Sequence, residues 1–223
     1  MVRYVPPVAP RRASSTSARE EPRARHHVPR THARLDVDER RSQLVALGID
    51  LFSTRPYDDV SIDELAREAG ISKGLLYHYF PTKRHFYVAT VREGARELLE
   101  RTATPPGMDP LERLRAGLDA YLDYVSRHGP AYESMLRSGI GTDAEVSHIV
   151  DETRETFCAR LVEGAPVDGS SALVRLAVRG WLGFCEAATI EWLTKRRTVR
   201  RASMREMLVQ VLLGAVQTAA TQP

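Results

Sequence analysis

Two lysines, two tyrosines, a histidine and a threonine stand in the run KGLLYHYFPTK, from Lys73 to Lys83. Such side chains donate hydrogen bonds and bring positive charge, which suits contacts with phosphate oxygens and base edges. Catalysis fits neither these residues nor the rest of the chain. There is no Gly-rich phosphate loop, no HExxH metal spacing and no nucleophile set beside a base. No catalytic residue, metal site or cofactor is therefore expected. His26, His27 and His32 lack an accompanying cysteine or acidic ligand.

Caps and apolar spacing identify the elements that must hold these groups. Ser61 occupies an N-cap position and Glu64 completes a capping box. Ile62, Leu65, Ala66 and Ala69 recur at helical spacing and give one apolar face. Gly70 can take positive φ, Ile71 anchors the turn, and Ser72 caps a second short helix running to about Tyr79. Two capped helices around a glycine turn make a helix-turn-helix, whose second helix enters a DNA major groove. A generic helical hairpin shares the pattern. It would not, however, expose Lys73, Gly74, Tyr77, His78 and Tyr79 in place of a second apolar stripe. Thr82 then caps a helix starting at Lys83, and the free N–H groups of a helix start attract phosphate.

The stretch GISKGLLYHYFPTK resembles the signature of the TetR family of one-component transcriptional regulators. The likeness is close from about Val37 to Val91; beyond it the chain is similar to the family only in length and helical character. It implies an all-α fold with an N-terminal three-helix DNA-binding domain containing the helix-turn-helix. A helical C-terminal domain for ligand binding and dimerisation follows. The resemblance also implies that Tyr77, His78, Tyr79 and Lys83 clamp the DNA backbone, with His78 able to touch bases. The family often has His where this chain has Tyr79.

Side-chain chemistry adds to that set. Lys73 can read guanine or bind phosphate, Gly74 permits close backbone approach, and Leu75 can meet a thymine methyl. Ser61 and Thr82 offer phosphate a hydroxyl and a backbone N–H, and Ser72 completes the candidate DNA-binding residues. Leu76 and Phe80 are expected to point inward, and Tyr77 is the aromatic expected to be partly core.

At 223 residues and 43% hydrophobic content, the chain can hold one substantial core or two small ones. No apolar run approaches the roughly 20 residues of a membrane span, and no signal-peptide segment opens the chain. A cytoplasmic protein without membrane contact is expected. Cys158 and Cys185 suggest reduced thiols rather than a disulfide framework. The first 35 residues carry eight arginines against Glu20 and Glu21, so they are +6 within a chain whose net charge is +3. They read as a disordered basic arm, either tracking DNA or simply solubilising. The expected division is residues 1–35 as arm, 36–82 as DNA-binding domain, and 83–223 as ligand-binding and dimerisation domain.

The first helix is expected from about Val37 to Ser53 and the fourth from Lys83 to about Arg101, the latter about 28 Å long. Its two apolar segments make it a rod shared by two cores. Asp109 and Asp143 each precede a helix, Pro130 opens a short one, and Gly139 to Gly141 breaks it. The last two helices are expected at about Ala172 to Arg196 and Ser203 to Ala220. The final one is apolar nearly all round, which calls for burial on two sides. A homodimer through these two helices meets that need, and the resemblance implies the same interface.

The resemblance further implies a small-molecule effector pocket. Tyr121, Tyr124, Tyr132, Met135, Phe157, Trp181, Phe184 and Cys185 can line an apolar cavity with a few polar handles, though ordinary core packing explains them equally. Glu186 interrupts an apolar run and can bind a ligand or pair with Arg175 or Arg179. The leading expectation is a dimeric repressor that leaves a near-palindromic double-stranded DNA operator when a largely apolar effector binds. The alternatives are an all-α carrier of an apolar molecule and a ligand-independent DNA-binding protein.

Overall fold

In the computed structural model, which describes residues 37–137, 143–164, 169–195 and 198–221, all regular structure is helical. The expected basic arm and the Gly139–Gly141 break lie outside the described residues. The described elements are α1 (Val37–Phe52), a 3-10 turn (Tyr57–Asp59), α2 (Ile62–Glu68), α3 (Lys73–Tyr79) and α4 (Lys83–Arg101). They continue with α5 (Pro110–Arg127), α6 (Gly129–Arg137), α7 (Ala144–Gly164), α8 (Ala172–Lys195) and α9 (Arg201–Ala220).

The α2–α3 turn forms for local reasons. Ser61 Oγ accepts from the Glu64 amide at 3.1 Å, and the Glu64 carboxylate accepts from the Ser61 amide at 3.0 Å. At the other end of α2, Ile71 N–H reaches Ala66 O and Gly70 N–H reaches Arg67 O, with Gly70 at φ +63°. That pair of bonds is a Schellman closure, which needs the left-handed conformation glycine adopts freely.

α1 crosses α4 at Gly48. A Cβ there would lie 2.7 Å from both Phe86 Cζ and Thr90 Oγ1, so the two helices meet this closely only because Gly48 has none. Leu44, Phe52, Leu65, Leu76, Phe80 and Phe86 form the heart of the first core. Val146 and Ile149 of α7 are buried in that same core. It therefore crosses the boundary expected between residues 82 and 83. A second core joins α5, α8 and α9 through Leu118, Leu122, Val178, Trp181, Leu208 and Leu212. Trp181 Nε1 donates to Leu208 O at 2.9 Å, fixing α8 on α9. A third, smaller cluster joins Leu98, Tyr124, Val125, Tyr132 and Ile190.

The described helix limits agree with the sequence reading to within one residue, as at Phe52 for Ser53 and Gly129 for Pro130, except at α9, which starts at Arg201 rather than Ser203. Arg200 caps it without a side-chain hydrogen bond, so no capping residue marks that start.

Candidate DNA interface and internal cavity

Ser72 Oγ accepts from Leu75 N–H at 3.1 Å and starts α3. Over this short helix the inward side is Leu76 with Tyr79 and then Phe80; Leu76 and Phe80 are fully buried and Tyr79 half-buried. Lys73, Gly74, Leu75, Tyr77 and His78 face out. The expectation that Tyr77 is partly core is thus corrected: its side chain is 40% exposed, and Tyr79 packs on the first core instead. Tyr77 follows Leu76 by one residue, about 100° round the helix, whereas Tyr79 lies one turn on from Leu76. A Cβ on Gly74 would approach only Ser72 Oγ, at 4.0 Å. The fold itself does not require glycine at that position.

The cations around α3 are held rather than loose. Lys73 Nζ pairs with Asp63 at 3.0 Å, tying the start of α3 to α2. Lys83 Nζ lies 4.0 Å from the Tyr57 ring centroid, a cation–π contact, and partial burial lowers its pKa. Thr82 Oγ1 accepts from His85 N–H at 3.2 Å and shares a hydrogen bond with His85 Nδ1 at 2.8 Å. Ser61 is fully used by the capping box: amide and hydroxyl both bond Glu64. Those bonds and Arg55 push the Glu64 carboxyl down to about 2. Arg41 lies over the Phe80 ring at 5.0 Å.

Next to Lys83 is a contact the sequence reading did not find. Arg84 grips Asp143 with two hydrogen bonds, of 2.6 and 2.7 Å, and also reaches Glu145. Asp143 at the same time accepts the first amides of α7, from Glu145 and Val146. The Arg84 guanidinium and these amides hold its carboxyl down to about 2. One aspartate thus both caps α7 and clasps the first turn of α4. Its partner is 59 residues away, a separation at which sequence carries no local signal.

A cavity of about 890 Å³ runs among α4, α5, α6, α7, α8, α9 and the end of α1. Of the eight residues expected to line a pocket, Tyr121, Tyr124, Tyr132, Met135, Phe157, Trp181 and Cys185 do so. Phe184 does not. It stands 39% exposed on the outer side of α8, with Leu173 and Leu176 along the same stripe, about 100° round the helix from the cavity-lining Cys185. Not foreseen were Phe52, Tyr87 and Thr90, first-core residues that also line the cavity.

The cavity's polar groups are largely committed. Tyr124 Oη donates to Gly94 O at 3.0 Å, and the Trp181 N–H is occupied by Leu208. Glu186 pairs neither with Arg175 nor with Arg179: Arg154 of α7 holds both its oxygens, at 2.8 and 2.7 Å. Arg175 bonds Gly169 O, and Arg179 reaches Asp151. Burial pushes the Cys185 thiol up to about 12 and raises Cys158, so neither is a reactive thiolate. Among the described residues, no group of three or more His, Cys, Asp or Glu side chains could hold a metal ion, and no helix is long and apolar enough to cross a membrane.

A helix-turn-helix with an outward polar helix, set on a helical body that encloses a large cavity, defines the class: a DNA-binding transcriptional regulator. Comparison with known proteins agrees. Residues 44–90 match the family described as "Bacterial regulatory proteins, tetR family", and residues 110–214 match "Tetracyclin repressor-like, C-terminal domain". The crystal structure of a tetR-family transcriptional regulator from Streptomyces coelicolor is 34% identical and superposes with a TM-score of 0.77, covering 82% of this chain and 83% of that one. The transcriptional repressor KstR of Rhodococcus jostii is 28% identical over 79% of this chain and 84% of its own length. The transcriptional activator FasR of Mycolicibacterium smegmatis is 27% identical over 82% and 85%. The chain belongs to the TetR family of transcriptional regulators. Members of this family bind DNA operators and small-molecule effectors and act as dimers.

Proposed function

We propose that this protein is a homodimeric repressor, working in the cytoplasm, that a largely apolar effector releases from a near-palindromic operator. Residues 36–82 carry the DNA contacts and residues 83–223 the effector site and the dimer interface. The observation that carries the reading is the shared wall: Phe52, Tyr87 and Thr90 belong to the core that seats α3 and also line the cavity. A molecule in the cavity would press directly on the packing that sets the angle of the DNA-reading helix. Binding that favours one packing over another shifts the population away from the DNA-competent form.

In this reading Lys73, Leu75 and His78 meet base edges with Gly74 leaving room, while Tyr77, Tyr79, Ser72, Thr82 and Lys83 hold phosphates. Ser61, with its polar groups consumed by Glu64, contributes by placing α2. The dimer forms through α8 and α9. Support comes from exposed large apolar side chains on both helices: Leu173, Leu176 and Phe184 on one, Met207 and Val211 on the other. Two such subunits place their α3 helices in successive major grooves, about one DNA turn apart.

The test is a gel shift of the purified chain on DNA from its own upstream region, at several salt concentrations and with excess nonspecific competitor. A discrete complex that survives competitor, with a two-fold footprint, is expected. Only salt-sensitive smearing, there and on sites selected from random DNA, would contradict it. A reporter that falls rather than rises when the gene is deleted would turn the repressor into an activator.

A further inference from the structure

We propose that the effector is an uncharged, largely apolar molecule carrying a hydroxyl or carbonyl, which Tyr132 recognises at the end of a buried chain of hydroxyls. The proposal rests on the effector-site reading above and specifies its chemistry.

The chain runs Tyr132, Tyr121, Thr189. The two tyrosine oxygens are 2.7 Å apart, and Tyr121 Oη donates to Thr189 Oγ1 at 3.1 Å. Tyr132 is 92% buried, Thr189 completely so, and the Cys185 sulfur lies beside the Tyr121 and Thr189 hydroxyls. Tyr121 and Tyr132 line the cavity, whereas Thr189 stands behind them. The chain comes from three helices, α5, α6 and α8, and forms a small buried polar spot in a mostly apolar wall.

Proton accounting gives the chain its selectivity. A tyrosine hydroxyl has one proton to donate and lone pairs to accept. Tyr121 gives its proton to Thr189, so Tyr132 must give its own to Tyr121. Tyr132 then shows the cavity only lone pairs, and these take a ligand hydroxyl. Turning the three hydroxyls the other way frees the Tyr132 proton for a ligand carbonyl. Burial raises the pKa of both tyrosines, so no phenolate forms to bind a cation.

The lining as a whole carries no net charge. Its charged side chains are Asp109, Arg113, Arg154, Arg160, Glu163 and Glu186, equal numbers of each sign. Arg154, beside Tyr132 in the wall, is turned to Glu186 and Asp151, which take three of its hydrogen bonds. A charge placed at the hydroxyl chain would find its nearest ionised neighbours, Arg154 and Glu186, already paired with each other, and burying it unpaired there is costly.

The test is a tryptophan-fluorescence titration, read against calorimetry, with five ten-carbon probes: decan-1-ol, 2-decanone, decane, decanoate and decylammonium. The alcohol and the ketone should bind the wild-type protein about ten-fold tighter than the other three. Tyr132→Phe should bring both down to the level of decane and leave decane unchanged; circular dichroism checks that the variant is folded. Thr189→Val gives an independent readout. With its acceptor gone, Tyr121 donates to Tyr132, the Tyr132 proton turns outward, and preference moves from alcohol to ketone. Equal binding of decane, decanol and decanone in all three proteins would overturn the hydroxyl chain while leaving the cavity as an effector site. Tightest binding by decanoate or decylammonium would overturn the uncharged class. No binding by any probe would remove the cavity as a site for such molecules, and the proposal with it.

Discussion

Between Ser61 and Lys83 each helix start is closed by a side chain three residues from the amide it serves: Ser61 with Glu64, Ser72 with Leu75, Thr82 with His85. Around the cavity, and where the body meets the first core, the polar partners lie far apart in sequence: Tyr121 with Thr189 by 68 residues, Arg154 with Glu186 by 32, Arg84 with Asp143 by 59. The first region can take its local shape before the chain condenses. The second exists only once seven helices have met. The helix-turn-helix thus carries its own local closures, while the body, held by long-range pairs, keeps an open space that a ligand can use.

The contrast is broken most sharply by equal truncations in the two regions. Leu76→Ala, at a fully buried position under α3, should cost about 2–5 kcal/mol of stability in urea unfolding. Phe157→Ala, half-buried at the cavity wall, should cost clearly less, because its inner face already borders open space. Gly48→Ala comes next. Its new methyl has to push Phe86 and Thr90 apart, at about 1–3 kcal/mol, and should weaken DNA binding by tilting α1 against α4.

The Arg84–Asp143 clasp joins the two regions, and pH tests it. The Asp143 carboxyl sits at about 2 when folded, below the ordinary value of about 4. A depressed folded pKa adds stability above the unfolded value and loses it as the pH falls toward 2. Asp143→Asn should therefore melt below the wild type at pH 7, with the gap closing between about pH 4 and pH 2. A gap that stays constant over that range would mean that the clasp holds nothing. The smallest effects are expected at the surface lysines. Lys83→Ala should weaken binding to every DNA sequence and lower the salt slope by about one. Lys73→Ala should mainly narrow the gap between operator and random DNA, and equal loss on both would end that division of roles.

The legibility of the sequence follows the same contrast. Ser61, Glu64, Gly70, Ser72 and Thr82 are local signals, and the limits of α2, α3 and α4 follow from them. Seven of the eight residues expected at the cavity line it, because large apolar and aromatic side chains at helical spacing tend to fall on the inward faces of a small helical domain. Phe184 was misread because α8 is apolar on two sides, and nothing in a one-dimensional pattern says which side lines the cavity. Arg154 and Arg84 were missed because their partners lie on helices whose approach depends on the whole fold. The closure of the first core by Val146 and Ile149 was invisible for the same reason.

The central claim is that cavity and reading helix share one packing. Ala95 on α4 lines the cavity and packs against the first core, so Ala95→Trp fills the space from the shared wall. The measurement is fluorescence anisotropy of a selected operator with this variant, alongside its melting temperature. The account predicts operator affinity lower by about ten-fold or more, with melting no lower than wild type and binding to random DNA unchanged. A folded variant that binds its operator as tightly as the wild type would contradict it.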